Sequence, residues 1–243
     1  MKTIFTACLS LLFYINAAAQ SNFYKISAGG GFGLTQSFAD LRKHSFGLAG
    51  YGLVDYYFTP FISAGIEGQM GEINGGNRKT DPNHREFINS YKAFTINGKI
   101  ALGALIDYQK GEFSNSIKGL YVGTGFGLIM NDVNRVRKEP VDPDLPVTDP
   151  PAPDKIWPGK EKSTNLLFPL NVGINFYFPD RSGYTRYILN FNYQSNLTIG
   201  EGLDGYDESS RSFKSGMPDV YTYFSVGLRY QFGSIGLFHK TIF

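Results

Sequence analysis

Three histidines, His44, His84 and His239, are where chemistry would be sought first. Acyl transfer or hydrolysis needs a histidine to take the proton of a serine, and a carboxylate to orient the imidazole. His44-Ser45 is the sole adjacent pair, and no motif surrounds it, so His44 reads as a solvated loop residue. His84 falls in or beside another loop, and His239 lies near the end of the chain. The glycine clusters Gly29-Gly30-Gly31 and Gly123, Gly125, Gly127 could suggest phosphate loops, but they lie within strand periodicity and no helix follows them. Asp204, Asp207 and Glu208 could offer oxygen ligands to Ca²⁺, yet a solvated acidic loop accounts for them. The one cysteine, Cys8, precedes the segments that fold. No thiol chemistry, disulfide, cofactor or metal site is therefore expected.

The elements that would hold these residues begin with a leader. Lys2, an apolar run from Ile4 to Ile15 and Ala17-Ala18-Ala19 make a secretory signal peptide over residues 1–19, cleaved after Ala19. The run is too short to span a bilayer core of about 30 Å as a helix. After it no apolar stretch reaches helix-spanning length, so any membrane crossing must be made by strands. A net charge of +2 gives no electrostatic ground for nucleic-acid binding. Abundant phenylalanine and tyrosine, 21 and 16 residues, favour strands.

From Phe23 the apolar residues alternate with period two, which puts successive side chains on opposite faces of a strand. Eight such segments follow one another, the even count of bacterial single-chain barrels. The fourth is read as running from Phe94 to Tyr108 and the eighth as ending at Phe232. Connections after odd strands include the longest, Ile73 to Ser90, Asp132 to Thr164 and Thr198 to Asp219; those after even strands are shorter. The expected fold is all-β, an eight-stranded antiparallel up-and-down transmembrane β-barrel over residues 20–232. A long Pro/Asp-rich outer loop spans 131–164, with Val141 to Pro158 free of periodicity. Residues 233–243 are expected to be a C-terminal extension, unless the register of the closing strand is shifted.

Alternation alone does not say which face points out, and the aromatic positions decide it. Tyr24, Phe58, Tyr108, Phe178, Tyr187 and Phe232 mark the short-turn ends of the apolar face. Phe32, Phe46, Phe94, Phe126, Phe168, Tyr193 and Phe224 lie toward its long-loop ends. Two bands of this kind match the girdles at the two bilayer interfaces. The opposite face carries Lys25, Glu67, Lys99, Asp107, Arg186 and Arg229, costly against lipid but workable as an interior polar network. A lumen filled by these side chains leaves no continuous aqueous pore.

In the last strand Ser225, Gly227, Tyr230 and Phe232 resemble the outer-membrane assembly signal, a polar residue, a glycine and two aromatics at fixed spacing. The resemblance implies recognition by the barrel-assembly machinery. That signal usually sits at the extreme C terminus, whereas this chain continues to Phe243. Taken whole, the chain resembles the eight-stranded outer-membrane barrel families related to OmpA and OmpX, in the style of Bacteroidota members. The implied address is the outer membrane of a Gram-negative bacterium, with outer-membrane lipid as a partner and a monomeric barrel. A non-enzymatic structural or surface-interaction role, with a loop partner the residues do not name, leads. A small solute or ion channel and a lipid-modifying enzyme centred on His44 are the alternatives.

Overall fold

The computed structural model describes residues 21–38, 45–77, 85–136, 159–200, 202–206, 219–238, 240 and 242. The leader, His44, His84, His239 and the proline-rich stretch from Val141 to Pro158 lie outside the described residues. Eight strands follow in order: β1 (Ser21–Phe38), β2 (Phe46–Thr59), β3 (Ile62–Gly76), β4 (Glu86–Ala101), β5 (Leu120–Arg135), β6 (Lys162–Pro179), β7 (Thr185–Ile199) and β8 (Asp219–Phe238). Antiparallel ladders join each to the next, and β8 pairs back with β1, so the sheet closes.

Followed from Gly173 of β6 through Asn192, Ser225, Gly33, Ala49, Gly71, Tyr91 and Asn131, the register returns to β6 at Ser163, ten residues from its start. Such a stagger tilts the strands and fixes the diameter, and with eight strands the interior has room for side chains only.

The period of two is carried fully into structure. Over β4 burial alternates residue by residue from Glu86 to Ala101. On the outward side β5 shows Leu120, Val122, Phe126, Leu128 and Met130, all exposed, until Asp132 ends the run. That is roughly the 9–11 residues a tilted strand needs to cross a bilayer.

Three boundaries differ from the sequence expectation. β4 stops at Ala101: Leu102–Ala104 and Tyr108–Lys110 are short 3₁₀ turns, and α1 (Glu112–Ile117) follows. The Gly103 amide donates to the Lys118 carbonyl at 2.8 Å, tying this connection across its own base. Second, β8 runs past Phe232 to Phe238. Gly233, at φ 89°, and Ser234 form a bulge opposite the position of Lys25, after which Ile235 pairs with Tyr24. Third, strands β3 to β6 reach well into the segments read as long loops. Apart from Ile88 their outward residues there are polar, Glu72, Ser90, Lys92, Asp132 and Lys162, while the inward Ile73, Phe87 and Val133, beside Asn89 and Asn131, are apolar and buried. The strands continue, but the two faces exchange polarity.

Candidate functional site

The lumen is built from the inward positions of all eight strands. At its centre Arg229 Nη1 lies 3.1 Å from Asp55 Oδ2, and Lys99 Nζ lies 3.7 Å from Asp55 Oδ1. All three side chains are less than a tenth exposed. A buried cation without a partner is costly, and one carboxylate shared by two cations answers that cost. Glu67, also buried, accepts from Gln69 Nε2 at 2.7 Å; the same amide reaches Gln194 Oε1 at 2.6 Å, and Tyr91 donates to Gln69 Oε1 at 3.3 Å. Amide side chains bridge strands below: Asn192 Nδ2 to Asn171 Oδ1 at 3.0 Å and Asn190 Nδ2 to Asn175 Oδ1 at 2.9 Å, with the Tyr121 hydroxyl between Asn190 and Asn192.

Both ends of this polar column are closed. At the long-connection end a strap, residues 202–206, crosses the mouth. Leu203 is fully buried with Ile73, Phe87 and Val133. Asn89 Nδ2 donates to the Leu203 carbonyl at 2.9 Å, and the Tyr206 hydroxyl donates to the carbonyls of Glu86 at 3.2 Å and Val136 at 2.9 Å. The Arg85 and Arg135 guanidinium carbons lie 5.7 and 5.1 Å from the Tyr206 ring centroid, within cation–π range. Asp204 accepts the Tyr206 amide at 3.0 Å, and the other two acidic candidates for Ca²⁺, Asp207 and Glu208, lie outside the described residues.

At the short-turn end the chain itself is the stopper. Phe23, Tyr57, Ile188 and Ile242 form one buried cluster; Phe61, Ala101, Tyr108 and Tyr121 form another, and Phe238 packs against both. Lys118 Nζ donates to the Ile242 carbonyl, and Lys240 Nζ lies 3.2 Å from Asp107 Oδ1. The hydrogen bond from Lys240, with a second cation at Lys110, holds the Asp107 carboxyl below its usual range. Burial pushes the Tyr108 hydroxyl up to about 12.

The residues assigned to the interior thus divide. Glu67, Lys99 and Arg229 lie in the lumen. Lys25 is half-buried beside the β8 bulge, and no described carboxylate pairs with it. Asp107 is not on a strand but in the β4–β5 connection, where the early end of β4 leaves it to meet the tail. Arg186 is on the outer wall. Phe178 pairs with Tyr187 and Pro179 with Thr185, so Arg186 is the extra residue of a bulge, and a bulge redirects its side chain. There its guanidinium carbon sits 3.8 Å from the Tyr24 ring centroid and 5.4 Å from that of Tyr230. Its nitrogens donate to Asp180 Oδ2 at 2.9 and 3.2 Å, to the Gln231 carbonyl at 3.1 Å and to the Tyr24 hydroxyl. Asp55, the hub of the lumen, was missed although its parity on β2 places it inward.

Of the aromatic positions, Phe58, Phe178, Tyr187 and Phe232 stand on the outer wall near the short turns, with Tyr24 half-buried among them. Phe32, Phe94, Phe126, Phe168, Tyr193 and Phe224 stand on it nearer the mouth. Tyr108 does not: it is 2% exposed inside the base, because the chain turns inward after Ala101. In the closing strand Ser225 and Gly227 face the lumen, while Tyr230 and Phe232 face out, their rings stacked at 6.2 Å. Gly227 has a packing reason of its own, since a Cβ there would overlap the Tyr51 hydroxyl.

No protein-family model and no curated protein matches the chain. Among solved structures it is similar to Neisserial surface protein A, at 11% identity and TM-score 0.48, over 86% of this chain and 97% of that one. It is similar to Ail, the attachment invasion locus protein of Yersinia pestis, at 11% identity and TM-score 0.40, over 86% and 99%. The N-terminal β-barrel domain of Pseudomonas aeruginosa OprF follows at 10% identity and TM-score 0.38, over 85% and 98%.

Proposed function

We propose that this chain is a non-enzymatic outer-membrane β-barrel of a Gram-negative bacterium, exported by its leader, whose role is structural or surface-interactive through the long connections. The observation that carries the reading is the exchange of polarity along β3 to β6. Below Met70, Lys92 and Met130 the outer wall is apolar around an ion-paired polar lumen; above them, Ile88 apart, the outer wall is polar around the apolar cluster of Ile73, Phe87, Val133 and Leu203. A strand that only ever met water would keep one inside. Charges facing hydrocarbon at a barrel's midplane cost about 2–4 kcal/mol for Lys or Arg, and this wall carries none between the two aromatic bands.

The closed ends of the lumen favour a structural or surface role over a solute channel. The kinship with the families related to OmpA and OmpX, in Bacteroidota style, and recognition of Ser225, Gly227, Tyr230 and Phe232 by the assembly machinery belong to the same proposal. As for lipid-modifying chemistry, the Ser45 hydroxyl is occupied with the Gly76 carbonyl at 3.4 Å.

The test is heat-modifiable migration of protein extracted from the outer-membrane fraction, together with planar-bilayer recording. Faster migration of the unboiled form and no discrete conductance are expected. Migration independent of boiling would remove the barrel-in-membrane reading; steady unitary currents would make it a channel.

A further inference from the structure

The connection between β4 and β5 is the longest at the short-turn end, and its two sides are unlike. One is buried: Tyr108 packs with Phe61, Ala101 and Tyr121, and Lys118 Nζ donates to Asn115 Oδ1 at 2.6 Å. The other carries Leu105 and Phe113, 77% and 76% exposed, the two most exposed large apolar side chains among the described residues. Ile117 stands one helical turn after Phe113, on the same face of α1. A six-residue helix cannot persist through its own hydrogen bonds, so something other than propensity must justify an exposed Phe113 beside a half-buried Ile117 on it.

The apolar side adjoins the outer wall. The chain enters the connection at Ile100 and leaves it at Leu120, both outward and exposed. Between Ile100 and Leu105 there is no charged residue, and between Phe113 and Leu120 the one charge, Lys118, is buried toward the base. No exposed charge therefore separates Leu105 and Phe113 from the belt along the chain. The exposed charges of the connection, Lys110 and Glu112, lie at its far tip, where long side chains can reach headgroups and water while their neighbours sit deeper.

We propose that residues 102–119 are a membrane foot: Leu105 and Phe113 insert into the headgroup–acyl boundary of the phospholipid leaflet on the short-turn side. The inference rests on the reading of the outer wall as lipid-facing. A phospholipid surface suits the site better than a protein, because its apolar side continues an apolar wall. The foot would brace the barrel at a fixed depth, complementing Tyr24, Arg186 and Tyr230 on β1, β7 and β8 across the ring.

The experiment uses the full-length chain in phosphatidylcholine vesicles, with Trp157→Phe removing the single native tryptophan. Phe113→Trp reports on the foot and Phe126→Trp on the wall. In vesicles brominated near the carbonyl end of the acyl chains, the tryptophan at 113 should lose most of its emission and be shielded from iodide. If it emits as a water-exposed indole and is quenched by iodide while the one at 126 is quenched by bromine, the foot is wrong and the wall reading stands. If bromine quenches neither, both fall.

Discussion

The Arg229 guanidinium meets the Asp55 carboxylate at 3.1 Å at the centre of the lumen, and Lys99 approaches the same carboxylate from a third strand. Two cations therefore depend on one anion in a place where water is scarce. Asp55→Ala removes the carboxylate that both contact, and removing one partner of a buried pair costs on the order of 3–5 kcal/mol. We expect a lowered urea midpoint for the barrel refolded in detergent. In a cycle with Arg229→Met, the double variant should recover part of the loss. If Asp55→Ala unfolds at the wild-type midpoint, the pair is not holding β2 to β8.

A second dependence is on acidity. Asp180, in the β6–β7 turn, is subject to burial that raises its pKa, but hydrogen bonds outweigh it: the amides of Tyr184 and Ser182 at 3.1 and 2.9 Å, and Arg186. Its carboxyl is held below the usual range, as is that of Asp107 under Lys240. A carboxyl depressed in the folded state stabilises above its unfolded value, about 3.9, and the gain is lost as pH falls through the folded one. The urea midpoint should therefore fall between pH 5 and pH 2, and Asp180→Asn should flatten part of that slope. An unchanged slope in Asp180→Asn would show that the turn contributes nothing to it.

Gly227 separates two reasons for one residue. Read from sequence it belongs to an assembly signal; in the barrel its bare Cα makes room for the Tyr51 ring. If packing matters, Gly227→Ala lowers the folded yield even when the pure chain refolds in detergent, without any machinery, and Tyr51→Ala restores part of it, the Gly30 carbonyl remaining close to the added Cβ. Overpacking of this kind costs typically about 1–3 kcal/mol. A variant that refolds normally in vitro yet fails to insert in cells would assign Gly227 to recognition alone.

What could be read from the residues, and what could not, follows from the same alternation. Strands β1, β2 and β6 were legible because their outward residues stay apolar along most of their length, so period two shows without knowledge of the partner strands. The outer ends of β3 to β5 were not, because Glu72, Ser90, Lys92 and Asp132 look like loop residues until one sees that Ile73, Phe87 and Val133 have become the inside. Parity also fails wherever one residue is inserted. Arg186 has the parity of the lumen, but the bulge opposite Phe178 and Pro179 turns it to the wall. Leu203 and Tyr206 each follow a glycine, Gly202 and Gly205, in a segment rich in polar residues, and that spacing is the signal for the strap.

The two closures of the lumen make a final, separable prediction. The strap holds the mouth through Leu203, whose side chain is fully buried, and through the Tyr206 ring between Arg85 and Arg135. Replacing both, Leu203→Asp with Tyr206→Ala, removes the apolar cap and its cation–π contacts. The base is untouched by this change: Phe23, Tyr57, Ile188 and Ile242 remain packed below the Asp55 layer. The double variant should therefore show no steady current in planar bilayers, though the mouth becomes accessible to a thiol reagent at an Ile73→Cys reporter. Adding Ile242→Asp, which places a charge in the lower cluster, should still give no discrete openings, because the Asp55, Lys99 and Arg229 layer fills the lumen between the two closures. Conductance from the strap variant alone would mean that neither this layer nor the base seals, and discrete openings of the triple variant would mean that the layer leaves a path and the two ends were the barrier.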